Sequence, residues 1–180
     1  MTAWFWSCLV NDGNDGGRRK QAKSGSVERV SEAARDAGLD IEIRRMGAST
    51  RTAEEAAAQC GSTVAQIVKS LVFQGEQSGK LYLFLVSGAR QLDIAKAGSL
   101  AGEPLKRGDP RHIRDLTGFA IGGVSPIGHL IAIPAFADET LLGFDRVWAA
   151  AGAHDAVFAA EPRALLAAAG ATVADLAAVG

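Results

Sequence analysis

Two stretches of this 180-residue chain carry residue types and spacings that suit chemistry on a carbonyl group. The first is IVKSLVF, Ile67 to Phe73, which sets a lysine and a serine inside a run that otherwise reads as a buried strand. Residues two apart on a strand share a face, so Lys69 points with Leu71 and Phe73, while Val68, Ser70 and Val72 point the other way. An unpaired ammonium in a dry core costs several kcal/mol or sheds its proton, so Lys69 must reach a cleft, a carboxylate or the surface. A lysine snorkelling at a sheet edge satisfies the same pattern.

The second stretch is TGFAIGGVSPIGH, Thr117 to His129, in which Gly122, Gly123, Gly128 and Pro126 fall within seven residues. Glycine admits positive φ and brings bare N–H groups close to a ligand, and proline fixes a turn without adding a donor. Consecutive inward N–H groups make an oxyanion site, which holds a carbonyl oxygen as it gains charge. A plain turn between strands accounts for the same residues. GxGxxG is absent and no GK[ST] follows, which excludes a dinucleotide fingerprint and a Walker loop.

Other constellations are weaker. Ser125, His129 and Asp138 suggest a nucleophilic triad, but the GxSxG elbow spacing is missing. His112, His129 and His154 form no HxxxH or HExxH pair, so no metal and no cofactor is expected. Cys8 and Cys60 lack zinc spacing and cannot build a disulfide framework, which fits a reducing, cytoplasmic setting. A formal net charge of −1 gives no global field for nucleic acid, and no basic stripe of the kind a DNA-binding helix needs is present. Arg18 to Lys20 and the scattered Lys106, Arg107, Arg111 and Arg114 read first as solvated faces. The apolar opening AWFWSCLV spans eight residues without a preceding basic segment, too short for a membrane span and unlike a signal peptide. Residues 1–25 are taken as a tail or arm and residues 26–180 as one domain.

The elements that must position these residues follow from periodicity. Ser26 caps a helix through Val27, Val30, Ala33, Ala34 and Ala37 that Gly38 closes, and Leu39, Ile41 and Ile43 alternate as a strand. Thr52 and Glu55 have capping-box spacing before a short alanine helix ending near Gly61, and a turn of helix is expected near Val64 to Ile67. Val68–Phe73 and Leu81–Val86, joined by QGEQSGK, form an antiparallel hairpin of two central strands. Helices are expected over Gln91–Ala101 and Pro110–Leu116, and strand-like runs at FAIGG, HLIAI, Val147 and AVFAA. A helix follows Pro162. Without a strict βαβ rhythm, the fold class is mixed α/β: a largely antiparallel, curved sheet covered by helices.

The order of TAEEAA at Thr52, IVKSLVF at Ile67, LFLVSG at Leu83, LTGFAIGGVSPIGH at Leu116 and the closing AVFAAEPRALLAAAGATVADL resembles the YbaK/EbsC family of trans-editing domains. That family includes the editing insertion of bacterial prolyl-tRNA synthetases. The resemblance covers roughly residues 26 to 178. It implies an aminoacyl-tRNA deacylase, acting on the aminoacyl-adenosine 3′ end of mischarged tRNA carrying Cys, Ala, Ser or Thr, with an aminoacyl-tRNA synthetase as a further partner. It also implies catalytic roles for Lys69 and for Gly122, the glycine of a GxxxP loop whose backbone meets the substrate carbonyl. Gly123, Val124, Ser125, Pro126, Gly128, His129 and Thr52 would then bind substrate. In family members a hydroxyl of the terminal ribose is thought to help activate the attacking water. One departure stands out: where the Cys-tRNA-clearing branch has a SxG-type turn, this chain reads VWAAAGAHDAVF, with Ala150 or Ala151 at the serine-like position. His129 also differs from that branch. A non-catalytic module holding a tRNA end or a nucleotide on the same fold is the alternative.

Overall fold

The computed structural model describes residues 25–47 and 52–178. The arm expected over residues 1–25 therefore lies outside the described residues, apart from Gly25. The elements are α1 (Ser26–Asp36), β1 (Ile43–Arg45), α2 (Ala53–Cys60), β2 (Val68–Gly75), β3 (Leu81–Ser87), α3 (Ile94–Ala101), β4 (Leu105–Arg107) and α4 (Pro110–Thr117). They continue with β5 (Ala135–Asp138), β6 (Val147–Ala153), β7 (Ala156–Ala160), α5 (Pro162–Ala168) and β8 (Thr172–Ala174). Two short 3₁₀ turns, Val64–Gln66 and Glu139–Gly143, precede β2 and follow β5.

The strands form two sheets. A five-stranded sheet runs β4-β2-β3-β5-β8, and a three-stranded sheet runs β1-β7-β6. Pairing is antiparallel except β3 with β5 and β5 with β8, and one parallel bridge, Ile67 to Trp148, joins the two sheets. The fold is thus mixed α/β, as the lack of βαβ rhythm suggests.

The β2–β3 hairpin forms as expected, pairing Lys69 with Val86 and Ser70 with Leu85. Its faces divide as strand geometry requires. Val68, Val72, Leu83 and Leu85 pack in the main core with α1 and β6, while Leu71, Phe73, Tyr82 and Phe84 pack in a second cluster with α3. A third cluster joins α2, Ile67, Trp148 and Val157.

Several boundaries differ from expectation. Gly25, not Ser26, is the α1 cap, and it offers no side-chain oxygen. β1 keeps only Ile43–Arg45 of the alternating run. Helix α3 starts at Ile94 because the Asp93 carboxylate accepts from the amides of Ala95 and Lys96, so Gln91 lies before the cap. FAIGG and HLIAI are not strands: Gly122 (φ 89°) and Gly128 (φ 81°) turn the chain out of any ladder. The strand of that region is the short β5 after Pro134, and β4 and β8 are three-residue strands, too short to carry a period. By contrast, the Thr52 cap accepts from the Glu55 amide at 3.2 Å and Gly61 closes α2 in the left-handed conformation.

Candidate active site

β4 pairs only with Phe73 to Gly75, so the first half of β2 has β3 on one side and no ladder partner on the other. A cleft of about 280 Å³ opens there. It lies at the seam of the two sheets, bounded by Val68–Leu71 of β2, Trp148–Ala150 of β6, the start of α2, and the glycine loop. Small residues dominate its wall: Ala53, Ala56, Ala149, Ala150, Ala153 and Gly122.

Lys69 and Gly122 both line this cleft, as do Val124 and Thr52. Lys69 is half-buried and its Nζ donates to the carbonyl of Arg90, in the loop after β3. Burial lowers its pKa from the ordinary lysine value, while the nearby Glu54 carboxylate works the other way. An ammonium has three donors, so the bond to Arg90 leaves two for other acceptors.

Gly123, Ser125, Pro126, Gly128 and His129 do not line the cleft. They hold the loop from behind. Gly123 abuts β6 so closely that a Cβ there would sit 2.9 Å from the Ala153 backbone. Ser125 is fully buried and its Oγ accepts from the Ile127 amide at 3.4 Å. Gly128 rests on the backbone of α1, where a Cβ would lie 3.0 Å from the Arg29 carbonyl oxygen. His129 meets Phe119 edge-on at 5.2 Å, and among the described residues its ring nitrogens find no well-formed hydrogen bond, with the Ser125 and Pro126 carbonyls the nearest acceptors. Burial, helped by the Arg29 charge, drops its pKa to about 4, so the ring is neutral at pH 7. Asp138 is spent on Thr140 and on the Leu176 amide, which separates it from Ser125 and His129 as a triad member.

Six residues at or around the site had been given no role there by the sequence. Ser70 Oγ is buried, lines the cleft and has no hydrogen-bond partner among the described residues. Trp148 and His154 line it from β6 and the β6–β7 turn. Arg44 lies 5.2 Å over the Trp148 ring, and Arg45 Nη1 donates to both Asp155 oxygens at 2.8 and 3.1 Å. Arg29, on α1, donates to the carbonyls of Gly118 (2.7 Å) and Gly128 (3.4 Å). The only sequence signal for these was the serine inside an apolar run. Of the two candidates for the serine-like position, Ala150 lines the cleft and Ala151 is fully buried in the core.

A small, partly open cleft with a cation and a glycine-rich turn on its walls suits a small ligand with a polar group. Residues 48–168 match the aminoacyl-tRNA editing domain, and the chain belongs to that family. The resemblance drawn from its motifs therefore stands. A solved structure described as a "putative trans-editing enzyme for prolyl tRNA synthetase" is 52% identical, with a TM-score of 0.81 over 88% of this chain and 100% of that one. The "Putative Cys-tRNA(Pro)/Cys-tRNA(Cys) deacylase EbsC" of Enterococcus faecalis is 29% identical over 118 residues, 64% of this chain and 70% of that protein. The uncharacterized protein YwhH of Bacillus subtilis is 28% identical over 124 residues, 69% of this chain and 78% of that protein. Among the described residues no helix is long and apolar enough to cross a membrane, and no group of three His, Cys, Asp or Glu residues is placed to hold a metal ion.

Proposed function

We propose that this protein is a trans-editing aminoacyl-tRNA deacylase that hydrolyses the ester between a small amino acid and the 3′-terminal adenosine of a mischarged tRNA. The observation that carries the reading is that Lys69 and Gly122, far apart in sequence, line the same cleft. Water attacks the ester carbonyl carbon, the bond to the ribose oxygen breaks, and that oxygen takes up the proton, leaving a free amino acid and a tRNA with its hydroxyl restored.

The chain's own contribution is position and field. The amides of Gly122 and Val124 donate to no other described residue, which leaves them for a carbonyl oxygen that gains charge in the transition state. Lys69, anchored on the Arg90 carbonyl, orients the ester or the terminal phosphate with its remaining donors. The neutral His129 is buried behind the loop and has no part in proton transfer. A ribose hydroxyl of the substrate, as the family resemblance implies, helps to activate the water.

The alanine-rich wall fits Cys, Ala, Ser or Thr better than a bulky acyl group. One methylene in such a wall discriminates by only about 1–3 kcal/mol, so neighbouring small residues will be distinguished weakly. The substrate places the protein in the cytoplasm beside a synthetase that makes the error. The test is release of amino acid from a panel of tRNAs mischarged with Cys, Ala, Ser and Thr. Binding of the tRNA end without release from any member would instead identify a non-catalytic module.

A further inference from the structure

We propose that Arg29 is a positioning residue for the deacylation, holding the glycine loop by its carbonyls so that its amides stay directed at the substrate; this rests on the deacylase reading above. Arg29 lies in α1, ahead of residue 48 where the family match begins, so nothing in that match covers it.

Contacts to Gly118, Phe119 and Gly128 converge on this one side chain. Its Nη2 donates to the Gly118 carbonyl at 2.7 Å and its Nε to the Gly128 carbonyl at 3.4 Å, so the guanidinium bridges the two ends of the loop. Its carbon Cζ sits 5.2 Å from the centroid of Phe119, a fully buried ring that His129 meets edge-on from another side. The loop is shaped to admit it. At Gly118 a Cβ would come within 2.3 Å of Arg29 Nη2, and at Gly128 one would press on the α1 backbone at 3.0 Å. Both glycines have positive φ, so the positions are fixed by conformation as well as by space.

The choice of a cation matters for the chemistry. A guanidinium has donors only, so it grips carbonyl oxygens and takes no amide from the loop. A carboxylate in its place would accept from the amides that the transition state needs. The planar fork also meets two separate acceptors from two different nitrogens in a fixed geometry, whereas a lysine must serve both from one point.

The test compares wild type, Arg29→Gln and Arg29→Lys in the full-length protein. Deacylation kinetics on mischarged tRNA are read beside thermal unfolding and amide hydrogen exchange of the 118–128 loop. In Arg29→Gln we expect kcat to fall about 10²-fold, the scale of a misplaced oxyanion donor, with KM little changed. Loop exchange should rise while β3 keeps its protection. Arg29→Lys should keep the wild-type unfolding midpoint yet recover only part of the rate, and methylguanidinium added to Arg29→Gln should restore some of the lost kcat. Wild-type kcat in a folded Arg29→Gln protein overturns the proposal, as does a loss carried wholly by KM. If wild type releases nothing from any tRNA, the deacylase reading fails, and the exchange experiment still decides whether Arg29 pins the loop: unchanged 118–128 exchange in Arg29→Gln rejects it.

Discussion

Two turns of this molecule are each held by one charged side chain from elsewhere in the chain, and the sign of the charge differs. In the β2–β3 turn, the Glu103 carboxylate accepts from the amides of Gln77 (3.0 Å) and Ser78 (2.9 Å), from Ser78 Oγ, and from the Tyr82 hydroxyl at 2.7 Å. Those bonds, Ser78 foremost, hold the Glu103 carboxyl at about 2. In the glycine loop, Arg29 grips carbonyls instead. An anionic clamp uses up N–H groups, and a cationic one leaves them open. The first suits a turn that has only to close a hairpin, and the second would suit a loop whose amides, as proposed, meet a substrate at the cleft.

The sharpest way to break this comparison is at the cleft itself. Lys69→Ala should reduce deacylation by about 10²–10³-fold with the thermal midpoint preserved, since its partner is a solvent-side carbonyl. Full activity in that variant would remove Lys69 from the site. Next come paired glycine substitutions. Gly123→Ala, whose Cβ would meet the Ala153 backbone at 2.9 Å, should push the loop and lower kcat about 10²-fold. Gly79→Ala in the hairpin turn meets only Gln74 Nε2 at 3.7 Å. There the cost is about 1 kcal/mol of backbone strain, with kcat unaltered.

The two turns should also titrate apart. His129 has a folded pKa below its unfolded value, so its contribution is fully present above about pH 6.5 and is lost as pH falls toward 4. Full loss amounts to about 3 kcal/mol, read by denaturant melts across that range, and His129→Phe should flatten the slope. Glu103 follows the same sign in a lower window, from about pH 4.5 down to 2, and Glu103→Gln should lower the midpoint at pH 7 while leaving kcat/KM intact. The smallest effect concerns Thr52. Removing its cap in Thr52→Ala should cost about 1 kcal/mol, and Thr52→Ser should restore it. A fall in kcat/KM in Thr52→Ala but not in Thr52→Ser would add substrate contact to the capping role.

Much of this was legible in the residues. Lys69 stood out because a strand's period forces its direction, and the hairpin and the Thr52 cap rest on interactions only a few residues apart. The glycine loop was found but its neighbours were misread: FAIGG and HLIAI have strand composition, and only positive φ at Gly122 and Gly128 denies them a ladder. β4, β5 and β8 were missed because three or four residues carry no period, and each pairs with a strand distant in sequence: β4 with β2, β5 with β3 and β8 with β5. Arg29 was invisible for the same reason, since its carbonyl partners are placed only by the complete fold.

The single bridge from Ile67 to Trp148 has a further consequence. Because the cleft straddles a seam, its walls belong to separate sheets: the lysine wall to the hairpin, the alanine wall to β6. Ala149 and Ala150 pair with Phe158 and Val157 of β7, while Lys69 pairs with Val86 of β3. On the deacylase reading, choice of acyl group and cleavage of the bond would fall to different pieces of the protein, free to drift independently.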